Sequence, residues 1–215
     1  MDKGKIGITY NEFSKLLKCI CRDTESYKDY LNELDSAVGD GDLGITVSRG
    51  FNAVEKTIET KFKNIGQLLL KAGMDFNNAA SSTMGSLLGM ALMRTGSCMG
   101  DKDVLDLPAF YKMIISVEES IKERGKAELG DKTMLDAIDP IRLSLKNSIE
   151  KKESCSVALE KVYRASEKGS ENTKTMLAVR GRARWLGTQT IGHLDPGAVL
   201  ISLIMKSVYE HFLEV

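Results

Sequence analysis

The chain has 215 residues, 42% apolar and 28% charged, with 30 basic and 30 acidic side chains, which is material for one domain with a sizeable core. The charge balance excludes a global field that would favour nucleic acid or an anionic membrane. No run reaches the length of a transmembrane helix, and the N-terminal stretch MDKGKIGITY lacks the apolar core of a signal peptide, so the expectation is a cytoplasmic protein without a membrane or nucleic-acid partner.

Phe13, Leu16, Leu17 and Ile20 recur at helical spacing and predict an amphipathic helix over about 9–22. Cys19 and Cys21 fall there; with Cys98 and Cys155 they form no CxxC pair, and a reduced compartment leaves such residues as small, mostly buried side chains. Thr24, followed by Tyr27 and Tyr30, is a plausible N-cap for a second, short helix.

That helix delivers the chain to LDSAVGDGDLG, residues 34–44. Residues i and i+2 of an extended segment point to one side, so Asp40 and Asp42 can converge, and Asp35 can close the third side. Gly39, Gly41 and Gly44 allow tight turning and close approach to a ligand. Three clustered carboxylates repel one another, so a hard cation with oxygen ligands explains them; a surface turn rich in Asp and Gly is the competing reading. The spacing excludes an EF-hand, because counting from Asp40 puts Ile45 where that loop needs glycine and Phe51 where it needs glutamate. Val47, Phe51, Val54 and Ile58 predict a helix from about Asp42 to Thr60, whose first-turn N–H groups would point back at the loop and could bind phosphate oxygens.

Ile65, Leu68, Leu69 and Ala72 mark the next helix, which runs into the small-residue segment NNAASSTMGSLLG, residues 77–89. Close helix packing is the favoured reading of such residues and close approach to a ligand the other. Helices follow over about 105–124, with Glu118 and Lys122 at ion-pairing distance along the sequence, and over about 131–150, where Pro140 should impose a kink. In the loop between them, bracketed by Gly125 and Gly130, Asp131 can cap the second helix. A helix over about 154–168 leads to the basic cluster Arg180, Arg182 and Arg184, either solvated or an anion-binding group. Asp195 and Pro196 then begin a final helix, apolar on nearly every side over 199–205, which predicts a buried helix whose positive N-terminal end needs a partner. The two histidines leave little room for a His-based zinc site or a Ser-His triad; His193 is read as a supporting or capping residue and His211 as structural.

No segment alternates as a strand and no long period repeats. The expected fold is therefore all-α: a single-domain up-and-down antiparallel bundle of eight or nine helices spanning 1–215, with the glycine-rich loops gathered at one end.

Taken together, three motifs resemble the L subunit of dihydroxyacetone kinases: LDSAVGDGDLG with the following SRGF, RGKAELGDKTM, and GRARWLGTQTIGHLDPGA. They run in family order across essentially the whole chain. The resemblance implies a barrel of about eight antiparallel helices with ADP or ATP and magnesium at one end. It implies that Asp35, Asp40 and Asp42 hold two Mg2+ ions bridging the phosphates, and that Leu43, Gly44, Ile45 and Thr46 meet the nucleotide. Gly125 and Met134 would serve the adenosine pocket and Arg182 would meet phosphate or ribose, with Asp195, Pro196 and Gly197 completing the site. Ser81 to Gly85, including Thr83 and Met84, occupies the place of the family's GGxSG loop and keeps only its last glycine; Leu43 and Thr46 replace a frequent histidine and asparagine.

The implied function is phosphoryl transfer from the Mg-bound ATP/ADP couple to dihydroxyacetone or a related hydroxyketone. The substrate would be held on a separate K-type subunit, and a phosphotransferase-system phosphocarrier subunit is an alternative partner; a homodimer is also allowed. No catalytic residue beyond the metal site is expected in this chain. The alternatives are a non-catalytic regulatory paralogue, binding nucleotide or a transcription regulator, and the nucleotide domain of a fatty-acid kinase-like system. The DPGA ending counts against the last.

Overall fold

The structure, a computed structural model, describes residues 6–215; the first five residues of the N-terminal stretch read above for a targeting signal lie outside it. Among the described residues the α-helices are α1 Tyr10–Ser26, α2 Lys28–Ser36, α3 Leu43–Ile58, α4 Ile65–Ala79, α5 Thr83–Met99, α6 Leu107–Gly125, α7 Leu135–Glu150, α8 Cys155–Asn172 and α9 Pro196–His211. Short 3₁₀ segments cover Thr173–Thr175 and Ala183–Thr190. No helix of the described residues is long and apolar enough to cross a membrane.

Each long helix packs on its sequence neighbour, and α1 packs on both α3 and α9, so α1 and α3–α9 close into a ring of eight with α2 seated between α3 and α9. The apolar stripes turn inward: Leu68, Ile138, Leu145 and Leu200 are buried, as period-3.6 patterning requires. Phe51 meets Phe76 edge to face with centroids 5.3 Å apart, and the missing side chain of Gly50 makes room for the Phe76 ring. An apolar cavity of about 190 Å³ lies inside the ring, lined by residues including Phe13, Leu69, Phe110 and Met205.

Gly89 of the small-residue segment serves packing, the reading favoured from sequence, with a Cβ there 2.8 Å from that of Asn77. A Cβ on Gly73 would lie 2.6 Å from the Gly89 carbonyl oxygen, and one on Gly96 2.7 Å from that of Gly66, so α4 and α5 touch through backbone. α5 has no clear bounds in the sequence, because glycines dilute its apolar stripe. Ser82 caps α5 by accepting from Gly85 N at 3.0 Å.

Several expectations are corrected. Thr24 does not start a helix: its hydroxyl donates back to the Ile20 and Cys21 carbonyls, α1 runs on to Ser26, and the break falls at Tyr27. A short antiparallel pair, β1 Gly7–Thr9 with β2 Val104–Asp106, was missed because three-residue strands are too short to show alternation. Asp131 does not cap α7 but pairs with Arg180, Nε to Oδ2 2.8 Å. Pro140 lies inside α7 as expected, and its missing N–H leaves out the bond to the Asp136 carbonyl; Gly169 of α8 sits against that carbonyl and the proline ring. Glu118 does pair with Lys122, and also with Arg142 of α7, Nε to Oε2 2.8 Å.

The aspartate loop depends on how closely α2 approaches α3. A Cβ on Gly44 would meet the Lys28 carbonyl oxygen at 1.9 Å and Asn32 Oδ1 at 2.7 Å, and backbone cannot yield cheaply. Gly44→Ala is expected to lower the unfolding free energy by about 1–3 kcal/mol, read as a lower urea midpoint at unchanged slope.

Candidate functional site

The alternate connections, α2–α3, α4–α5, α6–α7 and α8–α9, lie at one end of the ring, and side chains from separate loops meet there. Asp35 ends α2, while Asp40 and Asp42 lie in the turn before α3, where Gly41 takes φ +75°. One carboxylate oxygen from each of the three lies within 4.8 Å of the others; Asp35 is partly buried and the other two are exposed. The donor set fits a hard divalent cation, which takes carboxylate oxygens and completes its shell with water or phosphate. Arg182 of the α8–α9 loop forms an ion pair with Asp40, so a positive charge already lies against the cluster.

Asp35 also has a structural task. Its Oδ2 accepts from the amides of Asp42 (3.0 Å) and Leu43 (3.2 Å), and Asn32 Oδ1 accepts from Ile45 N at 3.2 Å. The amides expected to face a phosphate are thus partly engaged by α2, an arrangement invisible without knowing where α2 lies. Leu43, Gly44 and Thr46 are buried, and Ile45 is the exposed side chain of that turn.

Beside the aspartates the starts of α5, α7 and α9 converge. A Cβ on Gly197 would lie 2.7 Å from Met134 Cγ, 3.2 Å from Asp195 Oδ2 and 3.3 Å from Met84 Cε. Gly125, at the end of α6, faces Leu87 of α5. Thr83, in the first turn of α5, is exposed. Met84 and Met134 therefore pack against Gly197 where these helix starts meet, and helix N-termini favour anions.

Asp195 caps α9 as expected, accepting from Ala198 N at 2.7 Å, with Pro196 in the first turn. Burial raises its pKa to about 7; the bond from Ala198 and the charge of Lys132 oppose this, whereas Asp136 and Asp35 add to it. His193 contributes its carbonyl, its side chain being exposed.

Lys132, within the RGKAELGDKTM stretch, and Asp136, two residues beyond it, matter more than the glycines and aspartate of that stretch suggested. Asp136 accepts from Gly130 N and Thr133 N, both at 2.7 Å, and shapes the α6–α7 loop. Lys132 is buried, with Nζ 2.6 Å from Thr173 O, 2.8 Å from Thr190 O, 2.6 Å from His193 O and 3.3 Å from Met176 O. Burial lowers its pKa and the charge of Asp195 opposes the change. A lysine beside a helix start reads as surface, so its only sequence signal is membership of a motif.

The sequence profile of the DAK2 domain matches residues 37–210. The chain belongs to the DAK2 domain family. Within it, this DAK2 domain is of the DhaL type. It is 38% identical over 184 residues to the Escherichia coli (strain K12) PEP-dependent dihydroxyacetone kinase, ADP-binding subunit DhaL, covering 85% of this chain and 87% of that one. It is 36% identical over 217 residues to the ADP-binding subunit DhaL of PEP-dependent dihydroxyacetone kinase 2 from Listeria innocua, covering 98% and 95%. The fold matches that of the dihydroxyacetone kinase from C. freundii solved in complex with AMP-PNP and Mg2+, with TM-score 0.71 and 20% identity. That match covers 98% of this DAK2 domain and 36% of the longer chain.

Proposed function

We propose that this chain is the nucleotide-binding subunit of a two-part kinase acting on dihydroxyacetone or a related small hydroxyketone. The observation that carries this reading is the meeting of Asp35, Asp40, Asp42 and Arg182 at the open end of a DhaL-type barrel. There, carboxylates that would hold Mg2+ stand beside a cation that would meet phosphate, and Met84 and Met134 would offer apolar side chains to a base. Asp35, Asp40 and Asp42 would hold Mg2+, two ions in this reading, whose charge would offset that developing on the phosphoryl group during transfer.

The chain's own residues bind and orient. Met84, Met134, Gly125 and Gly197 shape the adenosine side. Arg182, paired with Asp40 in the ligand-free chain, would offer its charge to a phosphate oxygen, and the starts of α5 and α9 would present their positive ends. The acceptor hydroxyl oxygen forms the new bond to the γ-phosphorus as the bond to the ADP oxygen breaks, and the hydroxyl proton leaves on the side of a K-type subunit that holds the ketone. Positioning and electrostatics supply the catalysis, with no covalent intermediate on this chain. A phosphotransferase-system phosphocarrier would recharge retained ADP, in the cytoplasm.

The test is reconstitution. Purified chain, a K-type subunit and Mg-ATP, or phosphorylated carrier with catalytic ADP, are expected to convert dihydroxyacetone to its phosphate, and omission of this chain to stop the reaction. No Mg-dependent nucleotide binding at saturating Mg-ADP would overturn the kinase reading; binding without turnover against several hydroxyketones would favour the regulatory paralogue.

A further inference from the structure

The α8–α9 connection, residues 173–195, is the longest between successive helices among the described residues, and it carries Arg180, Arg182 and Arg184 at its tip. Its two sides are joined at the neck. Gly192 N donates to Lys174 O at 2.7 Å, Ala178 N donates to Thr190 Oγ1 at 3.1 Å, and Asp195 N donates to Thr173 Oγ1 at 2.9 Å. Lys132, from a different loop, reaches beneath this neck with carbonyls from both sides around its ammonium: Thr173 and Met176 from the outgoing strand, Thr190 and His193 from the returning one.

Two features show that Lys132 is held there for its side chain. Its backbone has φ +60°, a left-handed conformation that costs a non-glycine residue about 1 kcal/mol or more. Its ammonium is also buried among carbonyls, an expensive placement unless its hydrogen bonds are made; an ammonium offers three donors, and the carbonyls supply the acceptors. The cage resembles the oxygen shell of a bound cation, built here with a tethered one.

We propose that Lys132 is a positioning residue for the phosphate end of the site: its ammonium clamps the neck of the 173–195 loop and so sets Arg182 over the aspartates. The effect on nucleotide rests on the function proposed above; the effect on the loop does not. Without the charge, four carbonyls lose a shared donor and the neck opens, while the eight-helix ring, packed through other residues, remains. Arg182 then no longer meets a phosphate in a fixed geometry.

The test uses Lys132→Gly, which suits the positive φ and leaves a channel shaped like the lost side chain, and Lys132→Met, which keeps bulk but not charge. The loop is read without nucleotide by tryptic cleavage after Arg180, Arg182 and Arg184 and by acrylamide quenching of Trp185, the single tryptophan. Both variants are expected to be cleaved at least tenfold faster than wild type, with unchanged far-UV circular dichroism and with nucleotide-free Mn2+ binding by the aspartates that is tighter than wild type, because Arg182 no longer sits on Asp40. Mg-ADP affinity should fall at least tenfold. n-Butylammonium, but not 1-butanol, should restore loop protection and affinity in Lys132→Gly. Wild-type cleavage rates in Lys132→Met, equal rescue by 1-butanol, or loss of helical signal in both variants would overturn the inference. If wild-type chain binds no Mg-ADP, the function above fails, whereas the loop readouts still decide the role of Lys132.

Discussion

Asp40→Asn together with Asp42→Asn is expected to abolish Mg-dependent nucleotide binding while leaving the barrel intact. Both side chains are exposed and lie within 4.8 Å of each other and of Asp35, so in the absence of metal they repel at a cost of about 1 kcal/mol per pair even in water. The exposed pair contributes charge for a cation, and neutralising it leaves Asp35 as the remaining carboxylate ligand of the cluster. Loss of a residue that merely supports a metal ligand lowers affinity about 10–100-fold, so removing two ligand charges should exceed a hundredfold. Isothermal titration with Mg-ADP measures the loss, and far-UV circular dichroism with a melting curve measures the fold. Unchanged binding would remove the metal assignment. Asp35 is the wrong residue for this test, because its carboxylate also holds the Asp42 and Leu43 amides at the start of α3, and its loss would mix ligand and folding effects.

Arg182→Gln should have two effects of opposite sign. In the ligand-free chain the guanidinium pairs with Asp40 and competes with any cation for that carboxylate, so the variant should bind Mn2+ more tightly when no nucleotide is present. With nucleotide, the same side chain is expected to make a charge-assisted bond to phosphate. Such bonds are worth about 1.5–3 kcal/mol, so Mg-ADP affinity should fall roughly tenfold to a hundredfold. Paramagnetic titration of Mn2+ with and without ADP separates the two effects. A variant weakened equally in both would show that Arg182 supports the loop and does not meet phosphate. Arg180, bonded to Asp131, and Arg184, stacked on Trp185 at 4.5 Å, have other partners, which singles out Arg182 from a cluster that looks uniform in sequence.

Much of the barrel was legible because apolar periodicity is a local property. The stripes of α1, α3, α4 and α9 and the Asp-Pro start of α9 needed no tertiary information. The failures fall where a local signal is weak, absent or satisfied by another partner. Glycines that weaken the stripe of α5 are the surfaces on which α4 rests. Thr24 bonds backward within α1 instead of capping, and Asp131 is drawn to Arg180, 49 residues away. The β1–β2 pair joins segments nearly a hundred residues apart and has no local signature.

The candidate site divides along the same line. The aspartate triplet at residues 35, 40 and 42 could be read as a metal ligand set from spacing and charge alone, with a surface turn as the competing reading. What the tertiary structure decided is the partnership around it: Arg182 on Asp40, and Asp35 and Asn32 on the first turn of α3, with Met84 and Met134 brought against Gly197. It also turned Lys132 from an ordinary surface lysine into a buried cation among four carbonyls. Charge and periodicity are written along the chain, but desolvation and hydrogen-bond partnership arise only when distant segments exclude water from one another.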